Sequence, residues 1–225
     1  MTICVAQTKP FIGDIERNIA AHKRLIGRAA AENADIIIFP ELSITGYEPA
    51  LAKELATTPD DPRFDVLQKL SDEHNIIIGI GAPTAGVCIT MVLFHPGQPR
   101  QTYSKKYLHT DEEPFFVSGN NTSTSINNYP DIALAICYEI SVPEHAENAE
   151  GASIYIASVA KTHAGVNKAI DRLAEIAKHY SMAVLMSNCV GEDFGGKTSV
   201  WNDKGMLVAQ LDDQNEGILV FDAAQ

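Results

Sequence analysis

Positive charge is in short supply: 17 Lys and Arg against 29 Asp and Glu leave a formal net charge of −12 over 225 residues. A nucleic-acid partner needs a basic surface to neutralise phosphates, so that class is excluded. Long apolar runs are missing too. None approaches the ~20 residues a membrane-spanning helix requires, so no membrane partner is expected. The opening MTICVAQTKP lacks a basic segment before an apolar stretch, so no secretory leader is expected either. Cysteines number 4, at Cys4, Cys88, Cys137 and Cys189, and none forms a CxxC pair. A chain of this length does not need disulfide staples, and a reducing, cytoplasmic setting is expected. The 7 histidines show no HExxH or comparable spacing, so neither a metal site nor a cofactor is expected. The GxSxG elbow of a serine nucleophile is absent as well.

One motif is present but lacks its context. Gly191 to Thr198, GEDFGGKT, fits the phosphate-binding pattern GxxxxGK[ST]. A phosphate cradle needs a helix directly after the Lys-Thr pair, so that its first amides face the anion. Ser199 to Gly205 instead reads as a β segment closing in a turn. Gly195 and Gly196 are therefore assigned to a tight turn.

What remains is an ordinary globular composition, 45% hydrophobic and 20% charged. Apolar runs predict strands at Ile3 to Gln7, Asp35 to Phe39, Ile76 to Ile80, Ile132 to Ile136, Ser153 to Val159 and Ala183 to Val190. Gly81-Ala82-Pro83 reads as a turn after the third of these. Val87 to Phe94 and Gln101 to Tyr103 read as a hairpin, and Thr198 to Trp201, Met206 to Leu211 and Gly217 to Phe221 as a β tail. Helical periodicity covers Asp14 to about Asn33, with Asp14 as N-cap and His22 on a helix face, then Asp60 to Asn75 and Val166 to His179. The segment from 109 to 128 reads as irregular. No linker or repeat interrupts the pattern, which predicts one α/β domain over 1–225 with a mixed sheet, or two sheets sandwiched between helices.

Chemistry concentrates at strand ends. Cys137 closes the apolar run Ile132 to Ile136, and Pro143 is read as the end of the extended segment, with a helix from Glu144. Glu41 closes Asp35 to Phe39 through Pro40. Lys105 sits where the hairpin's second arm enters the loop. Open α/β sheets place ligands at the carboxyl ends of their strands. A cysteine needs a base or a positive field to act as a nucleophile. Acyl transfer also needs donors aimed at the developing oxyanion. Glu41 could accept the thiol proton, and Lys105, with the backbone N–H of Tyr138, could hold the oxyanion.

The three segments resemble a known family. PELSITGY at Pro40 to Tyr47, YSKKYL at Tyr103 to Leu108 and CYEISVPE at Cys137 to Glu144 are similar, in order and separation, to the signature segments of the nitrilase superfamily of carbon–nitrogen hydrolases. The resemblance implies Glu41 as general base, Lys105 as oxyanion stabiliser and Cys137 as nucleophile. It implies a second glutamate lining the site, for which Glu112 fits and Glu113 is a close rival. Tyr47, Tyr138, Val159 and Ala160 join as substrate- or oxyanion-binding candidates. The implied fold is an αββα sandwich of two mixed sheets flanked by helices. The implied assembly is a homodimer packed through the helical face beside the cysteine. The implied activity is thiol-dependent hydrolysis of a small amide or N-carbamoyl compound, ahead of a nitrile. An acyltransferase and a catalytically silent scaffold remain the alternatives. Two departures stand out: Ser141-Val142 replaces the Arg-Phe that members often carry, and Val159-Ala160-Lys161 stands where an aromatic often enters the pocket.

Overall fold

The computed structural model describes residues 1–121 and 123–223. Its strands are β1 (Thr2–Gln7), β2 (Ile36–Ile38), β3 (Ile77–Thr84), β4 (Cys88–Phe94), β5 (Gln101–Ser104), β6 (Ser125–Ile126), β7 (Tyr129–Ile136), β8 (Ile154–Ser158), β9 (Ala183–Ser187), β10 (Ser199–Trp201), β11 (Leu207–Gln210) and β12 (Gly217–Asp222). The helices are α1 (Ile15–Ala31), α2 (Ala52–Leu55), α3 (Asp65–His74), α4 (Pro143–Glu147) and α5 (Val166–Tyr180). The strands form two six-stranded sheets, ordered β12-β1-β2-β3-β4-β5 and β11-β10-β9-β8-β7-β6.

Strand alternation sorts the side chains into layers. Ile3, Val5, Ile36 and Ile38 join Leu134, Ile136 and Ile156 in one apolar core shared with the second sheet. Cys4, Ala6, Ile37 and Phe39 face the other way, onto Ile15, Ile19 and Ile26 of α1 and Leu67 of α3. On the far side, Leu173, Ile176 and Ala177 of α5 cover the second sheet. The result is the four-layer αββα sandwich, with both sheets of mixed direction.

Direction decides where function can sit. β1, β2 and β3 run parallel, β4 turns back and β5 returns. β7, β8 and β9 are also parallel. The carboxyl ends of β2 and β5 therefore share one edge of the first sheet, and those of β7 and β8 one edge of the second. Two buried serines stitch these edges together. Ser158 Oγ donates to Phe39 O at 2.8 Å, and Ser187 Oγ donates to Ala6 O at 2.6 Å.

Four local expectations change. Gly81-Ala82-Pro83 is not a turn, because β3 runs through it to Thr84 and the chain reverses only at Gly86 and Val87. β2 pairs with β3 only as far as Gly79, so beyond that point the missing N–H of Pro83 forfeits no bond to β2. Gly81 is required there because an added Cβ would lie 2.3 Å from Leu42 N and 2.5 Å from Pro40 O. The helix expected from Asp60 begins as a 3-10 turn, Pro62–Phe64, before α3. The extended segment before Pro143 ends earlier, at Ile136, where a 3-10 turn, Cys137–Ser141, begins. Pro143 is instead the first residue of α4, a position where its missing N–H costs nothing. Finally, the short β6 lies inside the stretch read as irregular. The glycine motif has no helix behind it: β10 follows, and Val190 pairs with Gly195 in an antiparallel bridge.

His22 sits on the buried face of α1 and braces the turn after β2. Its Nδ1 donates to Asn18 O at 2.7 Å, which leaves Nε2 to accept from Ser43 Oγ at 2.9 Å. The ring stacks on Phe39 at 4.0 Å. Burial pulls its pKa down to about 4.

Two outcomes are expected. Gly81→Ala should cost about 1–3 kcal/mol by overpacking, read as a lowered urea midpoint. Stability should also fall as pH drops from 6.5 to about 4, because the unfolded chain binds a proton at His22 that the folded chain does not. That loss should reach about 3 kcal/mol by pH 4, and His22→Gln should remove its share of the slope in urea melts across the range.

Candidate active site

Each central side chain follows a strand that ends at the shared edge. Past β2, Phe39 N–H still bonds Gly79 O at 2.9 Å. The chain then turns tightly, with Ser43 N–H on Pro40 O at 3.1 Å and Leu42 at φ +50°. Glu41 projects from this turn and is 1% exposed. Past β5, Lys105 is fixed by its N–H on Ile89 O at 2.8 Å and by Gly119 N–H on its own carbonyl at 2.7 Å. Gly119 passes so close to β5 that an added Cβ would lie 2.3 Å from Ser104 O.

Lys105 is wholly buried and its ammonium forks between two carboxylates. It donates to Glu41 Oε1 at 2.8 Å and to Glu112 Oε1 at 2.7 Å. Glu112 is held in turn by Tyr47 OH at 2.9 Å and by His109 N–H, which donates to its Oε2 at 2.8 Å. Glu113 is exposed to solvent. Of the two rivals, Glu112 is the one at the lysine.

Cys137 opens the 3-10 turn at φ +46°, a left-handed conformation that costs a non-glycine residue of order 1–3 kcal/mol. The strain is held in place by Glu139, which is completely buried. Its Oε2 accepts from Ile136 N–H at 2.8 Å and Tyr103 OH at 2.6 Å. Its Oε1 accepts from Lys106 N–H at 2.7 Å. One carboxylate thus ties the end of the cysteine's strand to the end of the lysine's strand. Behind it, His145 Nε2 lies 2.9 Å from Tyr103 OH and its Nδ1 lies 2.9 Å from Tyr155 OH.

The thiol adjoins Glu41. Burial raises the Glu41 pKa, and so does the Glu112 charge; the Lys105 charge and the Cys137 thiol pull the other way without cancelling the rise. Glu41 Oε2 makes no hydrogen bond among the described residues. Burial, then the Glu41 charge, also raises the Cys137 pKa, against the opposing pull of Lys161, Lys105 and the Ala160 N–H. Burial alone would lower the Lys105 pKa, but the Glu41 carboxylate, the thiol and the Glu112 carboxylate outweigh it and hold the ammonium protonated. Burial and the Glu41 charge thus both favour the thiol form of Cys137.

The remaining candidates divide. Tyr47 stands at the cluster through Glu112. Tyr138 lies half-buried on the cysteine's turn, edge-on to His109 at 5.1 Å. The backbone N–H of Ala160 draws the Cys137 pKa down. Val159 is fully buried in the inter-sheet core, with its N–H on Ser187 O at 2.8 Å. A cavity of about 480 Å³ opens beside the turn, lined by Tyr138, His109, Ser141 and Lys161. No group of three or more His, Cys, Asp or Glu that could hold a metal occurs among the described residues.

Two participants had no assigned part in the sequence reading. Glu139 was legible only as a carboxylate two residues past the cysteine. Asn188, wholly buried, bonds Lys161 N–H at 2.8 Å and Gly196 O at 2.6 Å, and no spacing rule points to it.

Comparison with known proteins bears on the family and the fold. The chain is 26% identical over 240 residues to the glutamine-dependent NAD(+) synthetase of Aquifex aeolicus (strain VF5), an alignment covering 97% of this chain and 41% of that protein. It thus spans about two fifths of the synthetase. It is 24% identical to the N-carbamoylputrescine amidase of Arabidopsis thaliana, covering 92% of this chain and 81% of that protein. Among solved structures, an amidase from Nesterenkonia sp. AN1 superposes with a TM-score of 0.87 at 21% identity, covering 99% of this chain and 92% of that one. That likeness establishes the fold. The carbon-nitrogen hydrolase family itself matches residues 2–224. From first strand to last, the chain belongs to the carbon–nitrogen hydrolase family.

Proposed function

We propose that this chain is an amidase-type hydrolase that cleaves the C–N bond of a small amide or N-carbamoyl compound through a thioester on Cys137. The observation that carries the reading is the fork of Lys105 between Glu41 and Glu112, which leaves Glu41 Oε2 unpartnered next to the thiol. A buried acceptor without a donor costs about 1–3 kcal/mol, and a proton from sulfur satisfies it. Relatives support the substrate class: one is a glutamine-dependent synthetase and another an amidase of N-carbamoylputrescine.

In this mechanism Cys137 Sγ attacks the carbonyl carbon while Glu41 takes the thiol proton. Negative charge moves to the carbonyl oxygen, where the Lys105 ammonium and the Tyr138 N–H meet it. The Tyr138 amide lies in the first turn of the 3-10 segment, where backbone N–H groups lack an intrahelical acceptor. Glu41 returns the proton to the departing nitrogen as the C–N bond breaks. It then removes a proton from water, which attacks the thioester. The acid leaves, and the proton goes back to sulfur. The first step leaves the cluster's charge unchanged, because the proton leaving sulfur and the charge arriving on oxygen stay within it. Glu112 keeps Lys105 aimed. The same reading places the protein in the cytoplasm as a homodimer packed through the α4–α5 face, where Arg172 of α5 bonds Ile140 O of the cysteine's turn at 3.1 Å.

A panel of small amides, N-carbamoyl compounds and nitriles, followed by ammonia release and intact mass, tests the proposal. Cys137→Ala should abolish turnover and any acyl adduct, and persistent turnover would sink the mechanism. Glu41→Gln should lower kcat by roughly 10³-fold or more, since it removes the proton carrier from both half-reactions. An adduct cleared only on addition of an amine would favour acyl transfer over hydrolysis. The acid limb of kcat/KM should lie above the ordinary carboxylate range, in line with the raised Glu41 pKa.

A further inference from the structure

A second cation lies on the cavity beside the cysteine's turn, and the mechanism above leaves it unused. Lys161 lies three residues past the end of β8, and its main chain is pinned on both sides. Its N–H donates to Asn188 Oδ1 at 2.8 Å, and its carbonyl accepts from Gly195 N–H at 2.9 Å and from Asn188 Nδ2 at 3.4 Å. The side chain is the opposite case. It is half-buried, and its ammonium makes no hydrogen bond or ion pair among the described residues.

Geometry limits what this ammonium can meet. Lys161 lines the cavity of about 480 Å³ together with Tyr138, Ile140 and Ser141 of the cysteine's turn. Its field on the thiol is the largest of those that draw the Cys137 pKa down, ahead of that of Lys105. The neighbouring cations in that cavity are differently disposed. Arg172 is engaged by Ile140 O and by Glu175 at 3.4 Å, and Lys168 stands exposed on α5. Lys105 is already shared between two carboxylates. Lys161 is thus an anchored cation, with no side-chain partner among the described residues, on the wall of the cavity beside the cysteine's turn; the carboxylates on that wall, Asp171 and Glu175, are exposed on α5.

We propose that Lys161 selects the substrate by pairing with an anionic group on its acyl half, so that the preferred amides carry a carboxylate a few bonds from the scissile carbonyl. The proposal rests on the hydrolase reading for its kinetics but not for its binding. Glutaramate and valeramide, which share a carbon count and differ in charge, are the probes. In the wild type, kcat/KM should favour glutaramate. Lys161→Met should lose ~10- to 100-fold more on glutaramate than on valeramide, with the loss falling on KM, the range expected for a charge-assisted hydrogen bond. Lys161→Arg should keep the preference, which guards against a folding defect. Equal losses on both amides would overturn the proposal, because Lys161 would then act through the thiol alone. So would a wild type that prefers valeramide. If neither amide is hydrolysed, the panel above decides the hydrolase reading separately, and protection of Cys137 from iodoacetamide decides the binding claim. Stronger protection by glutaramate in the wild type, lost in Lys161→Met, upholds it; equal protection by the two amides overturns it.

Discussion

The buried fork of Lys105 between Glu41 and Glu112 is the interaction on which the rest depends. An ammonium with no exposure is tolerated only because two carboxylates stand 2.8 and 2.7 Å away. Pairs of this kind add little net stability, since desolvation offsets most of the attraction. Breaking one is another matter, because it leaves an uncompensated buried charge at a cost of about 3–5 kcal/mol. The fork therefore works as a specification. It forces the end of β2, the end of β5 and the loop bearing Glu112 into one arrangement, with a single carboxylate oxygen left over for the thiol.

A second carboxylate sets the other half of the geometry. Glu139 holds Ile136 N–H, Lys106 N–H and Tyr103 OH together, so the turn at Cys137 and the segment after Lys105 cannot shift independently. The strained φ of Cys137 is affordable for that reason. His22, Ser43 and Gly81 do the same for the Glu41 turn from the helix side of the first sheet, by a neutral imidazole and a close backbone approach rather than by charge.

Much of this was legible in the sequence, and the pattern of what was not is physical. Strands such as Asp35 to Phe39 and Ile132 to Ile136 announce themselves because burial on both faces demands unbroken apolar runs. The strand-end positions of Glu41, Lys105 and Cys137 follow from those runs. Glu112 and Glu113 could not be separated by spacing, because loop conformation, with Glu112 N–H on His109 O at 2.8 Å, decides which one turns inward. Gly81-Ala82-Pro83 misled for a related reason: breaker residues mark a turn only when their neighbours do not supply a partner strand, and β4 does. Glu139 and Asn188 serve backbone groups distant in sequence, and no local rule encodes such a partnership.

The two serine stitches carry a consequence for how the chain matures. They join Ser158 to Phe39 and Ser187 to Ala6 across separations of 119 and 181 residues. Contacts so far apart form late, because the loop-closure entropy must be met before they give anything back. During synthesis β1 to β5, with Glu41 and Lys105, emerge before the segment carrying Cys137, and β12, which pairs with β1 in the same sheet, emerges last. Cys137 meets Glu41 only when the second sheet closes on the first. Closure of the two sheets is thus also what assembles the cluster, and a partly folded chain carries Glu41, Lys105 and Cys137 without bringing them together.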